Sequence, residues 1–114
     1  MIGSSRTSLA TVQEAVNAKY TDPAAEKAGQ DLLEVADLLV RERQLLDTLS
    51  DSGRSARDRQ EVVSNLLGDK ISPLALDLST TIATQRWSSD SDLVDAFESA
   101  GAQCLFGARE AQGD

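Results

Sequence analysis

The stretch ISPLALDLSTTIATQRW, from Ile71 to Trp87, decides the fold because it joins a clear helix start to an unusual helix surface. Ser72 can cap the free amide groups of a first turn, and Pro73 suits the first helical position because proline lacks an N–H group. Leu74, Leu78 and Ile82 follow at intervals of four positions and form one apolar stripe. The stretch therefore predicts an amphipathic helix.

The other side of this helix carries no charge from Leu78 to Gln85, although 26% of the chain is charged. Serine and threonine are poor helix formers, and a free helix surface would normally carry Glu, Lys or Arg there. The segment from Thr7 to Gln13 in the first predicted helix is uncharged in the same way. An uncharged face indicates that the helix is enclosed by its own domain or covered by a partner.

Helical spacing and helix-start signals recur along the rest of the chain, whereas alternating apolar and polar runs are absent. Ser4 or Ser5 can cap a first helix to about Lys19, and Asp22-Pro23 begins a second that ends near Arg41. The second helix is apolar on more than one side, so we expect it to be central. A short third helix is predicted around Leu45, Leu46 and Leu49. A fourth is capped by Ser55, ends at Gly68 and buries Val62, Val63, Leu66 and Leu67. The fifth is the helix after Ser72, and the sixth begins within Ser88–Asp92. The sequence thus predicts an all-α fold, a six-helix bundle.

The composition favours a binding module over an enzyme. With 11 basic and 19 acidic residues the chain carries a net charge of −8, which disfavours contact with a nucleic-acid backbone. It has no histidine, which removes the most common general base and zinc ligand. No apolar run approaches the ~20 residues that span a bilayer. We predict no catalytic residue, no metal site and no cofactor.

Three features could carry chemistry or binding, and each has a simpler explanation. The acidic residues Asp90, Asp92 and Asp95 could hold a cation, but capping and the helix dipole already explain them. Cys104 could be a nucleophile, yet its place on an apolar stripe favours the core. Trp87 could be an exposed binding residue, but its position at the end of a helix favours a core anchor.

Several segments together resemble a known family. They are, in order, SSRTSLA, LLEVADLLVRERQLLDTLSD, VVSNLLGDKISPLALDL, RW and DLVDAFESAG. This order is similar to that of the N-terminal domain of the F-type ATP synthase δ subunit in its actinobacterial form, whose mitochondrial counterpart is the oligomycin-sensitivity-conferring protein. The most specific part is the LLGDKISP junction, followed by Arg86 at a fixed distance.

The resemblance implies a non-catalytic bundle of six helices in the peripheral stalk, or stator, of a proton-translocating ATP synthase. Family members bind the N-terminal helix of a catalytic-head α subunit in a groove between helices 1 and 5, which are the two helices with uncharged faces here. Carried onto this sequence, the resemblance implies that the partner-binding residues are Ser8, Thr11, Val12 and Ala15 of the first helix and Leu76, Thr80, Ala83 and Thr84 of the fifth.

The chain departs from the family pattern at its beginning and in its length. Many relatives open the first helix with Pro-Tyr-Ala where this chain reads Thr7-Ser8-Leu9, which implies a shallower groove at that end or a bulkier partner. We expect a flexible start or linker over residues 1–5, a six-helix domain over 6–111, and a flexible end over 112–114 that leads to a missing C-terminal domain. In mycobacterial relatives this region is fused behind a b-type stalk segment.

The resemblance further implies contact with the peripheral-stalk b subunit through missing or fused segments, without nucleic-acid binding or membrane insertion. The expected location is the cytoplasmic face of the bacterial plasma membrane, as part of the complex. Two alternatives remain from the residues alone. One is a free-standing helical adaptor or regulatory bundle that binds another amphipathic helix, and the weaker is a metal-dependent enzyme.

Overall fold

A computed structural model describes residues 3–19 and 22–111, with side chains described as far as Ala108, and over these ranges it contains helices and no strand. This confirms the predicted all-α class and the six helices. Their bounds are α1 (Ser4–Asn17), α2 (Ala25–Arg41), α3 (Arg43–Ser50), α4 (Ala56–Leu67), α5 (Pro73–Ala83) and α6 (Asp90–Ala111).

Two of the predicted helix starts form through the expected serine caps. The Ser55 hydroxyl accepts a hydrogen bond from the Asp58 N–H at 3.1 Å, and the Ser72 hydroxyl accepts one from the Ala75 N–H at 3.4 Å. Pro73 occupies the first position of α5. These starts were predictable because a cap and its partner lie within four residues of each other.

The first two helices begin at other residues than predicted. α2 begins at Ala25 instead of Pro23, because the Asp22 carboxylate accepts the Ala24 N–H at 2.8 Å and forms a turn before the helix. In α1 neither Ser4 nor Ser5 caps the helix; both lie inside it, so the expected linker does not include them. Residues 1–2 of that linker and the expected flexible end over residues 112–114 lie outside the described residues.

The helices α2 and α6 form the most extensive packing in the described residues, and α5 contacts α1, α2, α4 and α6. The central position predicted for the second helix is therefore confirmed. Side chains from every helix meet in one core, which includes the fully buried Leu32, Leu39 and Phe97. Of the four residues that were expected to be buried in α4, Val63 and Leu67 are buried and Val62 is half-buried. The expected burial of Leu66 was wrong, because this side chain is 46% exposed.

Two glycines allow α2 and α6 to cross closely. A Cβ atom on Gly29 would lie 2.8 Å from the Gly101 carbonyl oxygen, and one on Gly101 would lie 3.0 Å from the Gly29 carbonyl oxygen. Glycine weakens a helix, but here the missing side chain lets the two backbones approach. None of the helices in the described ranges is both long enough and apolar enough to cross a membrane.

Candidate helix-binding face

The beginning of α1 is fixed to the segment that follows α5. The Ser8 hydroxyl donates a hydrogen bond to the Arg86 carbonyl, and the Ser5 hydroxyl accepts one from the Ser88 N–H. Ser5 and Ser8 are both buried, so these bonds are partly shielded from competing water. The contacts span 78 and 83 residues of sequence and hold α1 beside the end of α5.

Three of the eight residues predicted to contact a partner are buried inside the domain. Ser8 is 5% exposed, Val12 1% and Ala83 0%. Val12 lies on the same α1 stripe as Ser5 and Val16, since these positions are seven and four residues away. The side chains of Ser8, Val12 and Ala83 therefore pack inside the domain, between the helices, instead of lying on an outer surface.

The other five predicted residues keep part of their surface exposed. Thr11 is exposed, and the remaining four are half-buried. We call this set the α1–α5 face; it consists of Thr11 and Ala15 on α1, Leu76 and Thr80 on α5, and Thr84 at the C-cap of α5.

The hydroxyl groups of two threonines of this face, Thr11 and Thr84, are already bonded to backbone carbonyls of their own helix. Thr11 donates to the Thr7 carbonyl at 3.3 Å, and Thr84 donates to the Thr80 carbonyl at 2.9 Å. Because the hydroxyl proton is used within the helix, the outer part of each side chain presents mainly its methyl group. An apolar partner can cover Thr11 and Thr84 without leaving their hydroxyl donors unsatisfied.

Charge is sparse on both helices. α5 carries only Asp77, and α1 carries only Arg6 and Glu14. Burying this part of the surface against another helix would therefore remove few charges from water, which is the costly part of forming an interface.

The C-terminus of α5 is capped by a residue that the sequence pattern did not single out. Arg59 of α4 is 4% exposed, and its Nη1 donates to the Ala83 carbonyl at 3.0 Å and to the Gln85 carbonyl at 2.7 Å. Burial, and then the nearby charge of Arg86, lower the pKa of the Arg59 guanidinium. Arg86, which stands nearer in sequence to this end of α5, is exposed.

The N-terminus of α5 is held by Asp31 of α2, a second residue missed at the sequence level. Its carboxylate is 1% exposed and accepts the Ser72 N–H at 2.8 Å and the Lys27 ammonium group at 2.9 Å. Burial acts to raise the pKa of Asp31, but the hydrogen bonds from Lys27 and Ser72 outweigh it, so this pKa lies below its ordinary value. Both ends of α5 are therefore fixed to neighbouring helices.

Trp87 and Cys104 lie in the core, as predicted. Trp87 is 5% exposed, and its indole N–H donates to the Ile82 carbonyl at 2.9 Å. Cys104 is fully buried, and burial raises the pKa of its thiol, so the reactive thiolate form is disfavoured.

The start of α6 is held by a serine cap and by one ion pair of its acidic residues. The Ser89 hydroxyl accepts the Asp92 N–H at 3.2 Å, and Asp90 pairs with Arg43 at 3.1 Å. Within the described side chains, no group of three or more histidine, cysteine or carboxylate residues is arranged to hold a metal ion.

Comparison with known proteins finds relatives among bacterial ATP synthase delta subunits. The chain is 43% identical over 91 residues to the ATP synthase subunit delta of Salinispora tropica, a match that covers 80% of this chain and 33% of that protein. It is 39% identical over 101 residues to the subunit delta of Streptomyces coelicolor, covering 86% and 36%. With that of Corynebacterium aurimucosum it shares 32% identity over 117 residues, covering 99% and 43%.

The chain belongs to the ATP synthase delta subunit family. It spans between a third and a half of the length of these curated relatives. No family model matches it. The resemblance seen in the sequence is thereby confirmed, and the three relatives named above are actinobacterial.

Proposed function

We propose that this chain is a stator component of an F-type ATP synthase, and that its α1–α5 face binds the N-terminal helix of a catalytic-head α subunit. The relatives support membership of an ATP synthase. The location of the partner is supported by Thr11 and Thr84, whose hydroxyls are satisfied within their own helices, and by the absence of charged side chains from the five residues of the face.

The role requires no chemistry, because a stator must only resist rotation of the catalytic head. Affinity would come from burying apolar surface of the α1–α5 face and of the partner helix, at about 25 cal/mol per Å² before the cost of ordering the partner. The partner would place apolar residues at helical spacing against this face, as in other helix-in-groove complexes. Thr11, Ala15, Leu76, Thr80 and Thr84 would contact it directly, with Ser8, Val12 and Ala83 supporting them.

The fixed ends of α5 suit such a role. Arg59 and Asp31 hold α5 against α4 and α2, and the Ser5 and Ser8 bonds hold α1 beside it. A preorganised face loses less conformational entropy when it binds, which raises affinity. We further propose that contact with the b subunit is made by segments outside this chain, and that the complex places the domain at the cytoplasmic face of the plasma membrane.

The test is calorimetric titration of the chain with a peptide from the N-terminus of the α subunit of the same organism. Thr11→Lys should weaken binding by about 2 kcal/mol, or roughly 30-fold, because a charge would be buried in the interface. Thr11→Val should bind at least as well as the native chain, since the lost hydroxyl serves only its own helix.

Thr48→Lys is the matched control. Thr48 is a threonine of α3 that also donates to a carbonyl four residues earlier, at 2.8 Å, but it lies outside the α1–α5 face. The Thr48→Lys variant should therefore leave the affinity for the α-subunit peptide unchanged. If Thr11→Lys binds as tightly as the native chain, or if Thr48→Lys is the variant that weakens binding, the proposed location is wrong. Absence of binding by the native chain would instead favour an adaptor for a different helix.

A further inference from the structure

A second apolar groove runs between α2 and α6. It is shallow and open to solvent, and the described residues that line it share one side of the contact between the two helices. We call it the α2–α6 seam; its lining residues are Leu33, Ala36, Asp37, Val40, Asp95, Glu98, Ser99 and Ala102.

The floor of the seam is made of small side chains and its edges carry aliphatic ones. Ala36 is buried in the floor, while Leu33 is 37% exposed and Val40 59% exposed. A smaller concavity of about 170 Å³ shares Val40 and Asp95 and continues the seam toward the start of α6. Leu33 and Val40 are seven residues apart, so the seam accommodates about two turns of a bound helix, or roughly 10 Å.

The charged residues of the main seam are all acidic. Asp37 is paired with Arg41 at 3.2 Å. Neither Asp95 nor Glu98 makes an ion pair with any basic side chain that the structure describes. These two carboxylates therefore leave a negative potential beside exposed aliphatic surface, and they favour a basic partner.

The seam lies on a different side of α2 from the contact with α5. Asp31 marks the side toward α5 because it bonds the Ser72 N–H at the start of that helix. Leu33 is two positions later, which is about 200° around a helix of 3.6 residues per turn. The seam therefore lies apart from the α1–α5 face, and a helix bound there would not displace one bound at α1 and α5.

We propose that the α2–α6 seam binds a basic amphipathic helix of another polypeptide. Its aliphatic residues at positions i, i+3 or i+4, and i+7 would enter between Leu33 and Val40, and its lysines or arginines would face Asp95 and Glu98. A second copy of this chain fits poorly, because each copy has a net charge of −8 and would bring carboxylates against carboxylates. The inference is independent of the function proposed for the α1–α5 face.

The test uses a synthetic helix-forming peptide with leucines at that spacing and lysines beside them, and a scrambled peptide of identical composition. Titration of the isotopically labelled chain by NMR should shift amide signals along the seam in α2 and α6. The ordered peptide should bind at least about tenfold more tightly than the scrambled one, because composition and charge are the same in both.

Two pairs of variants separate seam binding from attraction to a negatively charged protein. Ala102→Lys fills an exposed position of the seam and should weaken binding at least about tenfold, whereas Gln60→Lys on α4 makes a similar charge change outside the seam and should change it less than about twofold. The double variant Asp95→Asn with Glu98→Gln should bind more weakly and with less salt dependence than Glu61→Gln with Asp69→Asn. Circular dichroism checks that each variant keeps its helices.

Several results would overturn the proposal. They are equal affinity for the scrambled peptide, amide shifts outside α2 and α6, equal weakening by Ala102→Lys and Gln60→Lys, or no binding at about millimolar peptide. Loss of binding in Thr11→Lys would place the peptide on the α1–α5 face instead. Dimerisation of the unliganded chain through the seam, measured by light scattering, would identify a second copy as the occupant.

Discussion

At the scale of single residues, Arg59 and Asp31 hold the two ends of α5 by burying charge against backbone groups. The Arg59 guanidinium serves the last carbonyls of α5, where a cation is favoured by the helix dipole. The Asp31 carboxylate serves the amide of the N-cap residue, where an anion is favoured. Both residues come from other helices, so each one fixes the position of α5 as well as its end.

Replacing Arg59 by methionine should lower the free energy of unfolding by about 2–3 kcal/mol, because two buried carbonyl groups lose a charged donor. Urea denaturation measures this change. Arg57→Met is the matched control, since Arg57 lies on the same helix, is 88% exposed and pairs with Glu61 only at 3.7 Å. It should change stability by less than about 0.5 kcal/mol. Equal effects of the two variants would contradict the role assigned to Arg59.

Asp31 should give the chain an acid-sensitive part of its stability. Its pKa is lower in the folded state than the ordinary value of 3.8, so its charged form stabilises the fold fully at pH values above that. The stabilisation is lost as pH falls through the lower, folded-state pKa. Asp31→Asn should therefore cost about 1–2 kcal/mol at neutral pH, and this difference from the native chain should shrink below pH about 4.

Urea denaturation of both chains at several pH values measures that difference. Asp37→Asn serves as the control, because Asp37 is 70% exposed and its pair with Arg41 is on the surface. It should have little effect at any of these pH values. A stability difference for Asp31→Asn that does not change between neutral and acidic pH would show that the carboxylate charge does not contribute.

Hydrogen bonds between residues close together in the sequence could be predicted, whereas those between distant residues could not. Ser55 and Ser72 cap their helices as predicted, since the cap and the amide it binds are three residues apart. Arg59 reaches carbonyls 24 and 26 residues away, and Ser8 reaches one 78 residues away. The spacing of residues along one helix carries no information about such partners.

At the scale of helices, the crossing of α2 and α6 depends on two glycines that face each other. From helix propensity alone, Gly101 would only weaken α6. The structure shows that a side chain at Gly101 would lie 2.9 Å from the Leu33 Cγ atom, so the glycine is needed for close packing. A packing role of this kind depends on which two helices meet, and periodicity within one helix does not reveal it.

Gly29→Ala should destabilise the chain by about 1–3 kcal/mol, because the new methyl group would lie too close to the Gly101 carbonyl, and backbone cannot move aside as a flexible side chain can. This cost should exceed the gain of ~1 kcal/mol that alanine brings to a helix. Thermal or urea unfolding measures the balance. Gln30→Ala, at the exposed neighbouring position, should be neutral or slightly stabilising, and a stabilised Gly29→Ala variant would contradict the close crossing.

At the scale of the whole molecule, one core supports two uncharged or partly apolar surfaces on different sides. The α1–α5 face is uncharged, while the α2–α6 seam combines aliphatic side chains with carboxylates. The uncharged segments of α1 and α5 were apparent in the sequence because charge is counted residue by residue. The burial of Val12 and Ala83 could not be predicted without knowing how the helices pack. The seam could not be predicted without knowing that α2 packs against α6.

The most direct measurement of the central claim is an NMR titration of the isotopically labelled chain with the N-terminal peptide of the α subunit from the same organism. We expect saturable amide shifts along α1 and α5, centred on Thr11, Ala15 and Thr80, with α3 and α4 unchanged. Saturable shifts confined to helices other than α1 and α5, or none at all, would contradict the assignment of the α1–α5 face as the stator's contact with the catalytic head.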